Sequence, residues 1–173
     1  MSAQEIIPKL WLGNIDAAED PAFFKRFKIT ATINCTPDIS CSMPGVEYLR
    51  IDVLDSLKPK DINIMTRELP KAVEFLHKKR DIEKRNVLVH CHAGMQRSCA
   101  VVVSYLCKYH AMNIENAVAH ILKFRPVAFH HGHHINFIDS IRTYYTLVRG
   151  QSKTAVSKNV SPRQTPKSKT PRH

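Results

Sequence analysis

Apolar and polar positions follow two rhythms along the chain. Short apolar runs, PKLWLG at 8–13, TATIN at 30–34 and NVLVH at 86–90, read as buried strands, and VEYLRIDV at 46–53 alternates as a further strand. Helical spacing fills the intervals. Asp20-Pro21 opens a helix, with the aspartate as N-cap and the proline at the first helical position, and Phe23, Phe24 and Phe27 follow. Another starts at Asp61 with Ile62, Met65 and Leu69 on one face. Pro70 is expected to break or kink it before KAVEFLHKKR continues. Residues 98–109 are apolar on most sides, as in a helix buried in a core. Asn113 caps an amphipathic stretch to residue 124 that Arg125-Pro126 ends. A last helix is expected from Asn136 to Arg149, with Gly150 after its end.

Strands interleaved with helices imply an α/β domain with a central, mostly parallel twisted sheet flanked by helices. The 173 residues suffice for one domain with a proper core. Residues 151–173 have no apolar periodicity and cannot offset their own ordering entropy. The expected division is a folded domain at 1–150 and a basic, disordered tail at 151–173.

Charge sharpens that division. Of the net charge of +11, six Lys/Arg with no acid fall in residues 151–173, so an anionic partner could engage the tail. No apolar stretch approaches the ~20 residues of a membrane span. The N-terminus lacks the basic start and apolar middle of a signal peptide. Five cysteines without regular spacing argue against a disulfide framework. A reduced cytoplasmic or nuclear setting is expected.

The chemistry concentrates in HCHAGMQRS, residues 90–98, set between a strand and a buried helix. A strand–loop–helix with glycine in the loop is an anion site, because successive backbone N–H groups point inward and the helix N-terminus adds partial positive charge. Arg97 supplies a planar fork for two phosphate oxygens. Cys91 stands at the loop's start, where N–H donors, helix dipole and arginine favour the nucleophilic thiolate. Such a loop binds a phosphate and aims a thiolate at its phosphorus.

These nine residues resemble the H-C-x-x-G-x-x-R-[ST] signature of protein tyrosine phosphatases, and the Ala-Gly pair and RS ending resemble the small dual-specificity branch. The similarity extends to IIPKLWLGN, ITATINCT, VLDS and SYLCKYHAMNIENAVAHILKFRP, covering roughly residues 5–148. The resemblance implies a cysteine-dependent phosphatase acting on phosphotyrosine and phosphoserine or phosphothreonine in proteins, without metal or cofactor. Cys91 would form a phosphocysteine. Arg97 and the amides of His92, Ala93, Gly94, Met95 and Gln96 would hold the phosphoryl oxygens. Ser98 would hydrogen-bond the Cys91 sulfur, cap the helix, or do both. His90 would fix the loop through backbone hydrogen bonds. Asp55, in VLDS, stands where the family's general acid stands, with Asp52 and Asp61 as rivals.

The chain departs from the family after Arg125-Pro126. A Pro-Asn pair before a phenylalanine is usual there, and this chain has VAFHHGHHINF. The family's asparagine contact is left unassigned. His130, His131, His133 and His134 invite a metal reading, but no cysteine or carboxylate is near in sequence, and a polar loop beside the active site is the expectation. Cys99 follows Ser98 where Ala or Gly is usual; it is a small buried residue or a thiol able to trap an oxidised Cys91. Ser161, Thr165 and Thr170, each before a proline, resemble sites for proline-directed kinases. Two rival functions remain. An RNA 5′-triphosphatase on this fold would be expected to carry a loop like C-T-H-G-x-N-R-T, and nucleic acid is therefore not the expected partner. A non-catalytic phosphopeptide-binding module is opposed by the intact Cys91, Arg97 and Asp55.

Overall fold

The computed structural model describes residues 2–40 and 42–157, and for 151–157 the backbone alone. Five strands form one sheet: β1 (Ala3–Ile7), β2 (Leu10–Gly13), β3 (Ile29–Asn34), β4 (Glu47–Arg50) and β5 (Asn86–His90), in the order β1-β2-β5-β3-β4. Only the β1–β2 pair is antiparallel, so the expected mostly parallel α/β sheet is present. Within the expected strand at 8–13, Pro8 and Lys9 instead form a turn, Lys9 at φ 69°. The turn joins β2 to the edge strand β1, which the hydrophobic pattern does not foretell.

Helices cover both faces. On one lie α1 (Ile15–Glu19) and α2 (Pro21–Phe27), which close over Ala3, Ile29 and Leu88. Asp20 caps α2 by accepting from Ala22 N at 2.8 Å, as the Asp-Pro pair implies. On the other face α3 (Pro59–His77), α4 (Arg97–Tyr109), α5 (Ile114–Phe124) and α7 (Ile138–Ser157) build the larger core. Strand parity sorts the side chains: Val87 and Val89 join this larger core, and Cys91 continues their row.

Pro70 lies inside α3, and the helix continues past it through KAVEFLH. A mid-helix proline costs about 3 kcal/mol. Met65, Leu69, Ala72, Val73 and Leu76 on the same helix are completely buried, and each of the larger side chains contributes about 1.5–3 kcal/mol. The final helix continues through Gly150 to Ser157. Gly150 has open space around it and no positive φ, so the left-handed cap that ends a helix does not form. The expected boundary at residue 150 therefore falls inside α7, and residues 158–173, with Ser161, Thr165 and Thr170, lie outside the described residues. A short element, α6 (Ala128–Gly132), carries the histidine-rich segment. Phe129, His130 and His131 there have φ of 52°, 49° and 61°, a left-handed turn costing roughly 1–2 kcal/mol per residue. Buried Ala128 and Phe129 anchor it.

Candidate active site

The sheet's central strand β5 ends at His90 and hands the chain to a loop that enters α4 at Arg97. Four successive loop carbonyls are taken up from outside. Ile15 N donates to His92 O at 3.0 Å, Arg125 Nη2 to Ala93 O at 3.0 Å, Arg125 Nε to Gly94 O at 2.7 Å and Phe129 N to Met95 O at 2.8 Å. A peptide whose carbonyl faces outward turns its N–H inward. No amide from His92 to Gln96 donates to a protein acceptor among the described residues. The result is a concave set of N–H donors, an anion cradle at a helix N-terminus.

Gly94 is required by that geometry. Its φ is +64°, and a Cβ there would lie 2.4 Å from Gly13 O and 2.6 Å from Arg125 Nη2. Arg125, which the sequence offers only as a helix stop, is buried and also reaches the Gln4 side chain. It ties the loop to β1.

Cys91 is buried, with its sulfur 3.3 Å from Ser98 Oγ. The cap position of α4 is Gln96, not Ser98. Of the two roles considered for Ser98, the contact with the Cys91 sulfur is the one formed. The Gln96 side chain is turned away from the cradle, donating to His134 O at 2.8 Å and accepting from Asn136 N at 3.0 Å. Arg97 is 5% exposed and donates to Val53 O at 3.1 Å, which fixes the guanidinium from behind.

The three candidate acids separate clearly. Asp55 Oδ2 lies 4.0 Å from Arg97 Nε, at the mouth of the cradle. Its other oxygen accepts from Asn136 Nδ2 at 2.8 Å. Asp61 faces its own loop, accepting from Leu54 N at 3.2 Å and from Ser56 Oγ. Asp52 is exposed beside Arg50. Only Asp55 has been brought to the arginine. Asn136, which directly precedes the buried Phe137, is thus an asparagine in contact with Asp55.

The His90 ring is fully buried and neither ring nitrogen makes a well-formed hydrogen bond among the described residues, while its carbonyl accepts from Cys35 N at 2.9 Å. Burial pulls the imidazole pKa down to about 4, against a smaller opposing effect of the Cys91 backbone, so the ring is neutral at pH 7. Burial also pushes the Cys35 and Cys99 thiols well up, and the nearness of Cys91 adds to both shifts. Cys99 points away into the loop backbone, 3.6 Å from Gly94 O. Among the described residues no three His, Cys, Asp or Glu side chains converge as a metal site requires, His130, His131, His133 and His134 included.

A thiol, a fixed guanidinium and an inward ring of amides at the end of a parallel strand make a site built to hold a phosphate-like anion beside a sulfur atom. Sequence comparison supplies the class. The catalytic-domain family of dual specificity phosphatases matches residues 10–146. Mouse "Dual specificity protein phosphatase 15" is 31% identical over 124 residues, covering 72% of this chain and 51% of that protein. Rat "Dual specificity protein phosphatase 12" is 33% identical over 129 residues, covering 73% of this chain and 37% of that protein. The chain therefore spans about half the length of the first relative and little more than a third of the second. The crystal structure of a mouse putative dual specificity phosphatase complexed with zinc tungstate superposes with a TM-score of 0.74 at 26% identity, covering 87% of this chain and 91% of that one. The chain belongs to the dual specificity phosphatase family.

Proposed function

We propose that this protein is a cysteine-dependent phosphatase that hydrolyses phosphotyrosine and phosphoserine or phosphothreonine in proteins. The observation that supports the reading is the approach of Asp55 to Arg97, 4.0 Å apart from separate elements, at the loop that begins with Cys91. The substrate's phosphoryl group sits in the amide ring, its oxygens held by Arg97. The Cys91 thiolate attacks phosphorus while the P–O bond to the leaving group breaks, and Asp55 gives that oxygen its proton. Water then attacks the phosphocysteine. Asp55 takes the water's proton, the S–P bond breaks, and Ser98 donates to the departing sulfur. The cradle gains most where charge builds on the equatorial oxygens.

The reading needs no metal ion or organic cofactor. Its substrates are phosphoproteins, and its setting is the cytoplasm or nucleus. Among the described residues no helix is long and apolar enough to cross a membrane. The positive charges of residues 151–173 would serve a large anionic partner. The test is turnover of an aryl phosphate, then of phosphotyrosyl and phosphothreonyl peptides, by wild-type protein. Release of phosphate from all three supports the proposal. Binding of the peptides without release would make the protein a phosphopeptide-binding module, and release from RNA 5′-triphosphate ends alone would make it a triphosphatase.

A further inference from the structure

The turn after β3 is built more heavily than a connection requires. Asn34, buried at the strand's end, accepts from Thr36 N and Thr36 Oγ at 3.0 and 2.7 Å and donates to Ile39 O at 2.8 Å. Thr36 Oγ accepts from Ile39 N at 3.3 Å. Arg50, at the end of β4, donates to Thr36 O, Pro37 O and Ile39 O at 3.2, 3.0 and 2.6 Å. Thr36 and Ile39 are buried, and Asp38 between them projects outward with 60% of its side chain exposed.

Asp38 does not project at random. Its Oδ2 lies 3.1 Å from Nε2 of His92, the residue that follows Cys91. The carboxylate therefore stands at the rim of the phosphate cradle. The hydrogen bond from His92 first, and the charge of Arg97 among lesser causes, hold its carboxyl below the ordinary carboxylate range. A pair this exposed adds little to stability. Rigid placement of the turn does something else: it fixes a carboxylate in advance, so little side-chain entropy is lost when a ligand engages it.

We infer that Asp38 is a specificity-determining residue, which receives a lysine or arginine side chain flanking the phosphorylated residue of the substrate. The inference rests on the phosphatase reading above. A bare carboxylate beside an anion cradle disfavours a phosphate dianion unless a cation stands between them. In the free protein the His92 ring lies beside the carboxylate, its Nε2 3.1 Å from Asp38 Oδ2. A substrate cation can share the carboxylate, because Asp38 keeps a second oxygen that no other side chain engages among the described residues. An acidic flanking residue meets repulsion instead. The segment that carries Asp55 offers apolar contact, from the exposed Leu54 and Leu57 that flank it in sequence.

The experiment uses full-length Cys91→Ser protein, which binds without turnover, and two fluorescent phosphotyrosyl peptides that differ only in having Lys or Glu on both sides of the phosphotyrosine. The lysine peptide should bind about 2–5-fold more tightly at low salt, the range of an exposed charge pair. Asp38→Asn should bring the ratio of dissociation constants to one, and Asp38→Lys should invert it. An equal ratio in the parent protein, or one unchanged by both variants, overturns the assignment. Turnover by the protein with Cys91 intact is followed separately. Its absence on every substrate would overturn the phosphatase reading, while the binding ratio would still decide the role of Asp38.

Discussion

Asn136 donates its side-chain amide to Asp55 at 2.8 Å, across 81 positions of sequence. The bond pins one carboxylate oxygen and leaves the other toward Arg97. Asn136 is itself held through its backbone N–H by Gln96 in the phosphate loop. The Asp55 carboxylate is thus tied through Asn136 to the loop that holds Gln96 and Arg97. Asn136→Ala should lower kcat on poor leaving groups about 2–10-fold, the worth of one hydrogen bond. KM should change little, because Asn136 need not touch the phosphoryl group. A fall in kcat of the same size on good leaving groups would place Asn136 outside the proton transfer.

Asp55→Asn should be far more costly. For leaving groups that need a proton, kcat should fall by roughly 10²–10⁴. The deficit in kcat/KM, which reports the step that expels the leaving group, should shrink as the leaving group's own acidity rises, and the slope of log kcat/KM against leaving-group pKa measures this directly. A flat profile, or an equal loss at Asp52, would move the acid elsewhere.

Gly94→Ala tests the cradle's construction. A non-glycine residue at this φ costs about 1–2 kcal/mol before any contact is counted. The new Cβ must also displace the backbone oxygen of Gly13, 2.4 Å away. Thermal unfolding should shift to lower temperature and aryl phosphate turnover should fall to near background. A stable, active Gly94→Ala protein would mean that the loop does not pass as close to β2 as described.

His90 sets a pH dependence of stability. Its pKa is about 4 in the folded chain and 6.5 when exposed. Between those values the unfolded state binds more protons. The stabilisation is therefore complete above pH 6.5 and is lost progressively as pH falls from there through the folded value. A gap of this size is about 3 kcal/mol. Urea unfolding at pH 7.5 and pH 4.5 should show the drop in the parent protein, and His90→Gln should remove most of that contribution.

What the sequence discloses divides by distance along the chain. Cys91, Gly94, Arg97 and Ser98 are legible because strand, loop and helix follow one another within a few residues, and local geometry alone makes an anion site of them. Asp55 is legible through the motif around it. Arg125 reads only as a helix terminator, because its contacts with Ala93 and Gly94 depend on packing across 32 and 31 positions of sequence. Asp38 and Gln96 are obscured in the same way. Pro70 is accommodated within α3, where the helix around it buries a continuous apolar face. The edge strand β1 escapes notice because a left-handed Lys9 turns the chain back within what looks like one extended run.

The central claim is that Cys91 carries the phosphoryl group between substrate and water. It is tested most directly by quenching the protein with denaturant during turnover of an aryl phosphate whose leaving group needs no proton, and locating the phosphoryl group by peptide mass spectrometry. The account predicts a phosphorylated peptide containing Cys91, its phosphate on sulfur, enriched in Asp55→Asn, where hydrolysis of the intermediate is slowed, and absent from Cys91→Ser. Phosphate found on His92, or steady turnover by Cys91→Ser, would contradict it.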